Sequence, residues 1–127
     1  MATYRIYLTD DDRFLLDMYA VKFKAAGHKV TAFQGGEQVL EALRTQPAPD
    51  ALLLDIVMPE IDGFQVLATI QKETLAPLMK KIVLSNQGQE GDIEKAKQLG
   101  ASGYIIKASA IPSEVYSETI AIIEKSA

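Results

Sequence analysis

Three consecutive carboxylates, Asp10, Asp11 and Asp12, stand directly behind a short apolar run, and another carboxylate, Asp55, stands behind a second. Ser85, followed by Asn86, and Lys107 close two further apolar runs in the same way. Carboxylates crowded into one pocket repel and raise one another's pKa, and a divalent cation relieves that repulsion. An all-oxygen ligand set suits a hard ion, Mg²⁺ or Mn²⁺, of the kind that keeps waters and pairs with phosphate. Beside such an ion a carboxylate can attack phosphorus and form an acyl phosphate. A lysine ammonium offsets the charge of the transferring group, and a serine hydroxyl can hydrogen-bond a phosphoryl oxygen. The chemistry these residues suggest together is divalent-metal binding beside a carboxylate able to accept a phosphoryl group.

Taken singly, each residue has a plainer reading. Asp10 to Asp12 suit a helix N-terminus, where carboxylates cap free N–H groups and complement the dipole; Asp12 is the expected cap. Lys107 alone reads as a solvated lysine, Ser85 as a turn residue, and Tyr104 as a half-buried packing residue. Met58 and Pro59 read as loop-shaping, Glu60 and Asp62 as loop surface. His28 follows a helix-ending glycine and reads as solvent-exposed. The collective pattern carries the argument, because one apolar run after another ends in a reactive group.

Those runs alternate with longer amphipathic segments. The spacing predicts strands over residues 4–8, 29–33, 51–54, 82–84 and 104–106. The stretch 51–54 is wholly apolar, as in a strand buried on both faces. Helices are predicted over 14–26, 37–44 and 64–72, with a fourth capped by Asp92 and ended by Gly100, and a fifth opened by Pro112. In the first, Leu15, Met18, Tyr19, Phe23 and Ala26 mark the inner face, and Gly27 closes it. Phe64, Leu67 and Ile70 are the inner stripe of the third; Ile93, Ala96 and Leu99 serve the fourth; Val115, Ile120, Ile122 and Ile123 serve the last. Five strand–helix repeats imply an α/β fold, a parallel sheet with helices on both faces. In such a sheet ligands bind beyond the carboxyl ends of the strands. Four of the five strands deliver their reactive groups to that rim.

Composition narrows the function. The chain has 127 residues, the size of one domain, and 48% hydrophobic content, enough for a core. The expectation is a single domain over residues 1–127. The net charge is −4 and no basic stripe exists, which argues against direct nucleic-acid contact. No apolar run reaches the roughly 20 residues of a membrane span. Cysteine is absent, so disulfides, thiolate metal sites and a cysteine nucleophile are excluded. A cytoplasmic location is the expectation.

The segment Leu52-Leu53-Leu54-Asp55-Ile56-Val57-Met58-Pro59-Glu60-Ile61-Asp62-Gly63 resembles the phosphoacceptor segment of response-regulator receiver domains from two-component systems. Asp10-Asp11, Ser85 and Tyr104-Ile105-Ile106-Lys107 match the same family in order and spacing, and the resemblance spans essentially the whole chain. It implies a doubly wound, three-layer α/β/α fold with the flavodoxin-like strand order 2-1-3-4-5. It further implies that Asp55 is phosphorylated and that Asp10, Asp11, Asp55 and the Val57 backbone carbonyl hold the metal. Lys107 and Ser85 would bond the phosphoryl group, and Ser85 and Tyr104 would move as the switch is thrown. The implied donor is a sensor histidine kinase or histidine phosphotransfer protein. A downstream protein would read the face formed by the fourth helix, fifth strand and fifth helix. The implied chemistry is self-phosphorylation and slow autodephosphorylation, not turnover as an enzyme.

Three positions, Ala108, Asn86 and Val57, depart from the family pattern. Ala108 follows Lys107 where the family has a cis proline; a cis bond before a non-proline residue costs about 3 kcal/mol, which leaves a trans or a strained loop. Asn86 stands where a very small residue is usual. Val57 and Gln87 occupy the positions that tune loss of the phosphoryl group, and neither supplies a charge to orient water. Two other functions compete. One is a binding module that no longer uses phosphorylation. The other is a Mg²⁺-dependent phosphatase with an aspartyl nucleophile, which needs an acid–base carboxylate where Val57 stands.

Overall fold

The computed structural model describes residues 2–86, 88–107 and 110–125. Its elements alternate as β1 (Arg5–Thr9), α1 (Arg13–Ala25), β2 (Lys29–Phe33), α2 (Gly36–Thr45), β3 (Ala51–Leu54), α3 (Gly63–Glu73), β4 (Lys80–Ser85), α4 (Glu90–Gln98), β5 (Gly103–Ile106) and α5 (Pro112–Lys125). The strands form one parallel sheet in the order β2-β1-β3-β4-β5. This is the order and the doubly wound architecture expected from the sequence.

Strand side chains alternate between the two faces, and the core divides accordingly. Ile6, Leu8 and Leu53 pack with Leu16 and Phe23 of α1 and Val115 of α5. Tyr7, Leu52 and Leu54 pack with Val39 of α2, Val66 of α3 and Ala96 of α4. β3 is buried along its whole length because both layers need it. Register fixes the rim. Thr9 pairs with Phe33 and with Leu54, Leu54 with Val83, and Ser85 with Ile106. The residues just past these strand ends therefore emerge side by side.

Several expectations need correction. α4 begins at Glu90, with Gln89 as an N-cap that makes no side-chain bond. Asp92 lies inside its first turn, where its charge faces the positive end of the helix dipole. The buried face of α1 is Leu16, Tyr19, Ala20 and Phe23, with Leu15 and Met18 only half-buried. Apolar residues cover most of that helix's circumference, so periodicity alone could not select the inner stripe. In α4 only Ala96 is buried, and Ile93 is exposed. In α5 Thr119 takes an inner position while Ile120 and Ile122 are half-buried.

Asp62 is not plain loop surface. Its carboxylate accepts from the Gln65 N–H at 2.9 Å, and the Gln65 side chain accepts from the Asp62 N–H at 2.8 Å, a reciprocal cap on α3. His28 is buried, at 6% exposure, and not in solvent. Its Nδ1 accepts from the Tyr4 N–H at 3.1 Å, which leaves Nε2 to donate to the Tyr116 hydroxyl at 3.0 Å. The ring also stacks on Tyr4. His28 thus joins the start of β1 and β2 to α5.

Candidate functional site

The site is built from loops that leave the strand ends. Asp10 follows β1, and its backbone N–H donates to the Phe33 carbonyl at 3.1 Å, so β1 and β2 stay registered up to it. Its side chain is buried, with Oδ1 accepting from the Asp12 N–H at 2.9 Å. Asp12 in turn caps α1 through the Leu15 N–H at 3.2 Å, as expected. The first acidic residue is thereby locked by the third, while Asp11 between them is exposed.

Asp55 follows β3. Its N–H donates to the Thr9 carbonyl at 3.0 Å, and its Oδ1 accepts from the Ile56 N–H at 2.9 Å. The loop then closes on Gly63, whose N–H donates to the Ile56 carbonyl at 2.8 Å. A Cβ on Gly63 would run into the Asp55 carbonyl oxygen and the Ile56 Cα. Glycine is required there by close approach of two backbones, not by φ.

Lys107 follows β5 and crosses to the acids. Its Nζ lies 2.7 Å from Asp10 Oδ2 and 3.6 Å from Asp55 Oδ2. Ser85 is buried at the end of β4, and its side chain acts on the Tyr104 hydroxyl, opposing the rise that burial gives that group's pKa. Asp10, Asp11, Asp12, Asp55, Ser85 and Lys107 meet around one cleft of ≈ 390 Å³, together with Val57, Asn86 and Leu15. Tyr104 lies outside the cleft lining and reaches it through Ser85. Gln87 and the Lys107–Ala108 peptide fall outside the described residues.

Electrostatics follow from this crowding. Burial pushes the Asp55 carboxyl up from 3.8 to about 6, and the Asp10 charge adds to it; Lys107 and the Ile56 N–H pull the other way. Burial disfavours the Lys107 ammonium, but its bond to Asp10 and the Asp55 and Asp10 charges outweigh that and raise its pKa. Tyr104 is raised by burial, with the Ser85 side chain opposing. One lysine cannot balance three carboxylates. One oxygen from each of Asp10, Asp11 and Asp55 lies within 4.8 Å of the others. Such an oxygen-only set, partly buried and underneutralised, fits a hard divalent cation.

Sequence reasoning missed two neighbours. Leu15, expected inside the core, lines the cleft. Tyr19 is buried in α1 within electrostatic reach of Lys107 and Asp10. The signal for both was their place one and two turns after Asp11, on a helix that starts at the rim. A larger groove of ≈ 520 Å³ lies along β5 and α5, away from the acids.

The response-regulator receiver-domain model matches residues 6–115. Protein PilH of Pseudomonas aeruginosa is 34% identical over 104 residues, covering 81% of this chain and 84% of its own length. The transcriptional regulatory protein AfsQ1 of Streptomyces coelicolor is 30% identical over 80% of this chain and 44% of its own. The chain spans about half the length of the curated transcriptional regulators it matches. A CheY-like response-regulator receiver-domain structure from Methanospirillum hungatei superposes with a TM-score of 0.87 at 22% identity, covering 98% of this chain and 96% of that one.

Proposed function

The chain belongs to the response-regulator receiver-domain family of two-component systems, and from that premise we propose that Asp55 accepts a phosphoryl group in a divalent-cation-dependent reaction. The observation that carries this reading is the meeting of three carboxylates within 4.8 Å of one another, with the Lys107 ammonium 2.7 Å from Asp10 and 3.6 Å from Asp55.

Asp55 Oδ1 is held by the Ile56 N–H, so Oδ2 is the oxygen free to attack. As Oδ2–P forms, the P–N bond of a phosphohistidine donor breaks and the imidazole leaves with the electron pair, taking a proton from solvent. Mg²⁺, or Mn²⁺ in its place, held by Asp10, Asp11, Asp55 and the Val57 carbonyl, would neutralise charge on the phosphoryl oxygens. Lys107 would then transfer from Asp10 to a phosphoryl oxygen, and the Ser85 hydroxyl would donate to another. Because Ser85 is paired in register with Ile106 of β5 and its side chain acts on the Tyr104 hydroxyl, movement of Ser85 would reach β5 and the α4–β5–α5 face, where a downstream protein would read it.

Val57 is 56% exposed and lines the cleft with no polar side-chain atom. Nothing it carries can orient an attacking water, which supports a slowly hydrolysed phospho-form. Exposed apolar residues near the rim, Phe14 beside Leu15 and Ile111 ahead of α5, suit docking of a histidine kinase or phosphotransfer protein. The same reading makes residues 1–127 one receiver unit acting in the cytoplasm. No described helix is long and apolar enough to cross a membrane.

The test is incubation with acetyl phosphate and Mg²⁺, followed by intact mass measurement. The chain should gain one phosphoryl group, and Asp55→Asn should gain none. No mass gain in the unmutated chain overturns the reading.

A further inference from the structure

We infer that the depression between the α2–β3 and α3–β4 loops, at the opposite end of the strands from Asp55, takes an acidic segment of a partner protein that carries an apolar anchor residue. The depression holds ≈ 320 Å³ and is lined by Ala48, Pro49, Ala76, Pro77, Leu78 and Met79, with Asp50 the one charged residue in its lining. Leu78 is 91% exposed, more than any other large apolar residue among those described. A single exposed leucine is ordinary, but this one is held out by its backbone. The Met79 N–H donates to the Ala76 carbonyl at 3.0 Å, closing a turn with Pro77 in its second position, where proline presets the chain. The turn is tied on both sides, by the Leu75 N–H to the Ile70 carbonyl and the Lys80 N–H to the Asp50 carbonyl, each at 3.0 Å. Thr74 and Ala76 adopt positive φ, 53° and 44°, without being glycine. Such backbone persists only where its surroundings fix it, and it gathers at ligand sites. Leu78 is therefore a preformed knob beside an apolar hollow.

Charge selects the occupant. Arg44 and Lys72 lie in the last turns of α2 and α3, the helices that lead into the two loops. Arg5 and Lys29 open β1 and β2 as register partners, and Lys80 and Lys81 open β4. Of the acids among them, Glu73 is paired with Arg44 at 2.8 Å. Asp50 accepts from the Arg5 N–H at 2.8 Å, and the Arg5 guanidinium reaches the Ala48 carbonyl at 3.2 Å, on the rim of the depression. Lys81 follows Met79 by two residues, and its Nζ has no hydrogen-bond or ion-pair partner among the described residues. Burial and the Lys80 charge push that ammonium below its ordinary value. Positive charge is thus in surplus here, on a chain whose net charge is −4. A glutamate or aspartate of the partner offsets it, while the partner's apolar residue fills the hollow against Leu78. A lipid surface would cover the knob and leave the hollow empty.

The probes are two synthetic peptides, one of leucine and glutamate, the other of leucine and lysine. Each is titrated into the full, isotope-labelled chain, and backbone amide shifts are followed. The glutamate peptide should shift the amides of Ala48, Asp50, Leu78 and Lys81, more weakly at higher salt, and the lysine peptide should leave them in place. Leu78→Ser should weaken the glutamate peptide about tenfold, and Lys81→Gln should weaken it several-fold. Val21→Ser removes an equally solvent-facing apolar residue from α1 and should leave the affinity unaltered. Both serine variants change exposed side chains, and their urea melts should match that of the unmutated chain. No shift with the glutamate peptide, the same shifts with the lysine peptide, or an unchanged affinity in Leu78→Ser overturns the inference. Sedimentation with phosphatidylserine vesicles that Leu78→Ser abolishes would give the site to a membrane and overturn it. Concentration-dependent shifts of the same amides without peptide would give it to a second copy and overturn it too. Phosphorylation of Asp55 is scored separately by mass, so either reading can fail without the other.

Discussion

Asp55→Asn separates the charge at this position from its shape. The amide oxygen can still accept from the Ile56 N–H, and the Lys107–Asp10 pair at 2.7 Å is untouched. What is lost is a carboxylate that the fold holds at a cost. An unfolded aspartate has its ordinary value of 3.8, whereas burial and the Asp10 charge raise the folded one to about 6. Below about pH 4 both states are protonated and the site costs nothing. As pH rises through the window between the two values, the folded chain must ionise a carboxyl it disfavours. Stability then falls, and the loss is complete above about pH 6. A shift of roughly 2 pH units corresponds to about 3 kcal/mol, and solvent entering the open cleft reduces this to about 1–2 kcal/mol. Asp55→Asn should therefore stabilise the metal-free chain at pH 7 by that amount, raising Tm on the order of 5 °C. The assay is thermal and urea unfolding of both proteins across the acid-to-neutral range in chelator. The difference should shrink to nothing at the acid end. Mg²⁺ should narrow it at neutral pH by stabilising the unmutated chain. A destabilised Asp55→Asn, or a gain that does not vary with pH, would refute the reasoning.

Three other substitutions probe the frame around the site. The Thr9 hydroxyl is buried with no hydrogen-bond partner among the described residues, so Thr9→Val, of equal shape, should stabilise by about 1 kcal/mol in urea melts. Gly63→Ala drives a methyl group into the Asp55 carbonyl and Ile56; it should cost about 2–3 kcal/mol and slow phosphorylation by acetyl phosphate, read by mass against time. Val57→Glu places a water-orienting carboxylate beside the cleft and should speed loss of the phosphoryl group roughly tenfold, short of full general-base catalysis, as tracked by decay of the phosphorylated mass after the donor is removed.

Features that depend on local order were legible in the sequence. The apolar runs, four of the five with a reactive residue behind them, pointed to the fold and the acidic rim, because a parallel sheet forces its strand ends to one side. Long-range partners were invisible. His28 is held by Tyr4, 24 residues away, and by Tyr116, 88 residues away, so a lone histidine after a glycine gave no sign of burial. The inner face of α1 was obscured by surplus apolar residues, of which Phe14 and Val21 turned out exposed. The Asp62–Gln65 cap is a different case, since an acid followed three residues later by glutamine is a readable helix-start signal.

The position of Lys107 shows how side-chain pairing can take over a role expected of the backbone. The family's proline after this lysine is replaced by Ala108, a change that could have left the ammonium poorly placed. Instead the side chain is 7% exposed and held at 2.7 Å by Asp10, nearer than the 3.6 Å to Asp55. Asp10 is itself fixed by the Asp12 N–H, and Asp12 by its place at the head of α1. The lysine is thus anchored through a chain of bonds that begins at a helix cap on the other side of the cleft. Because its nearer partner is not Asp55, it can remain in place when Asp55 is neutral or asparagine, and so stands ready to transfer to a phosphoryl oxygen when that group arrives.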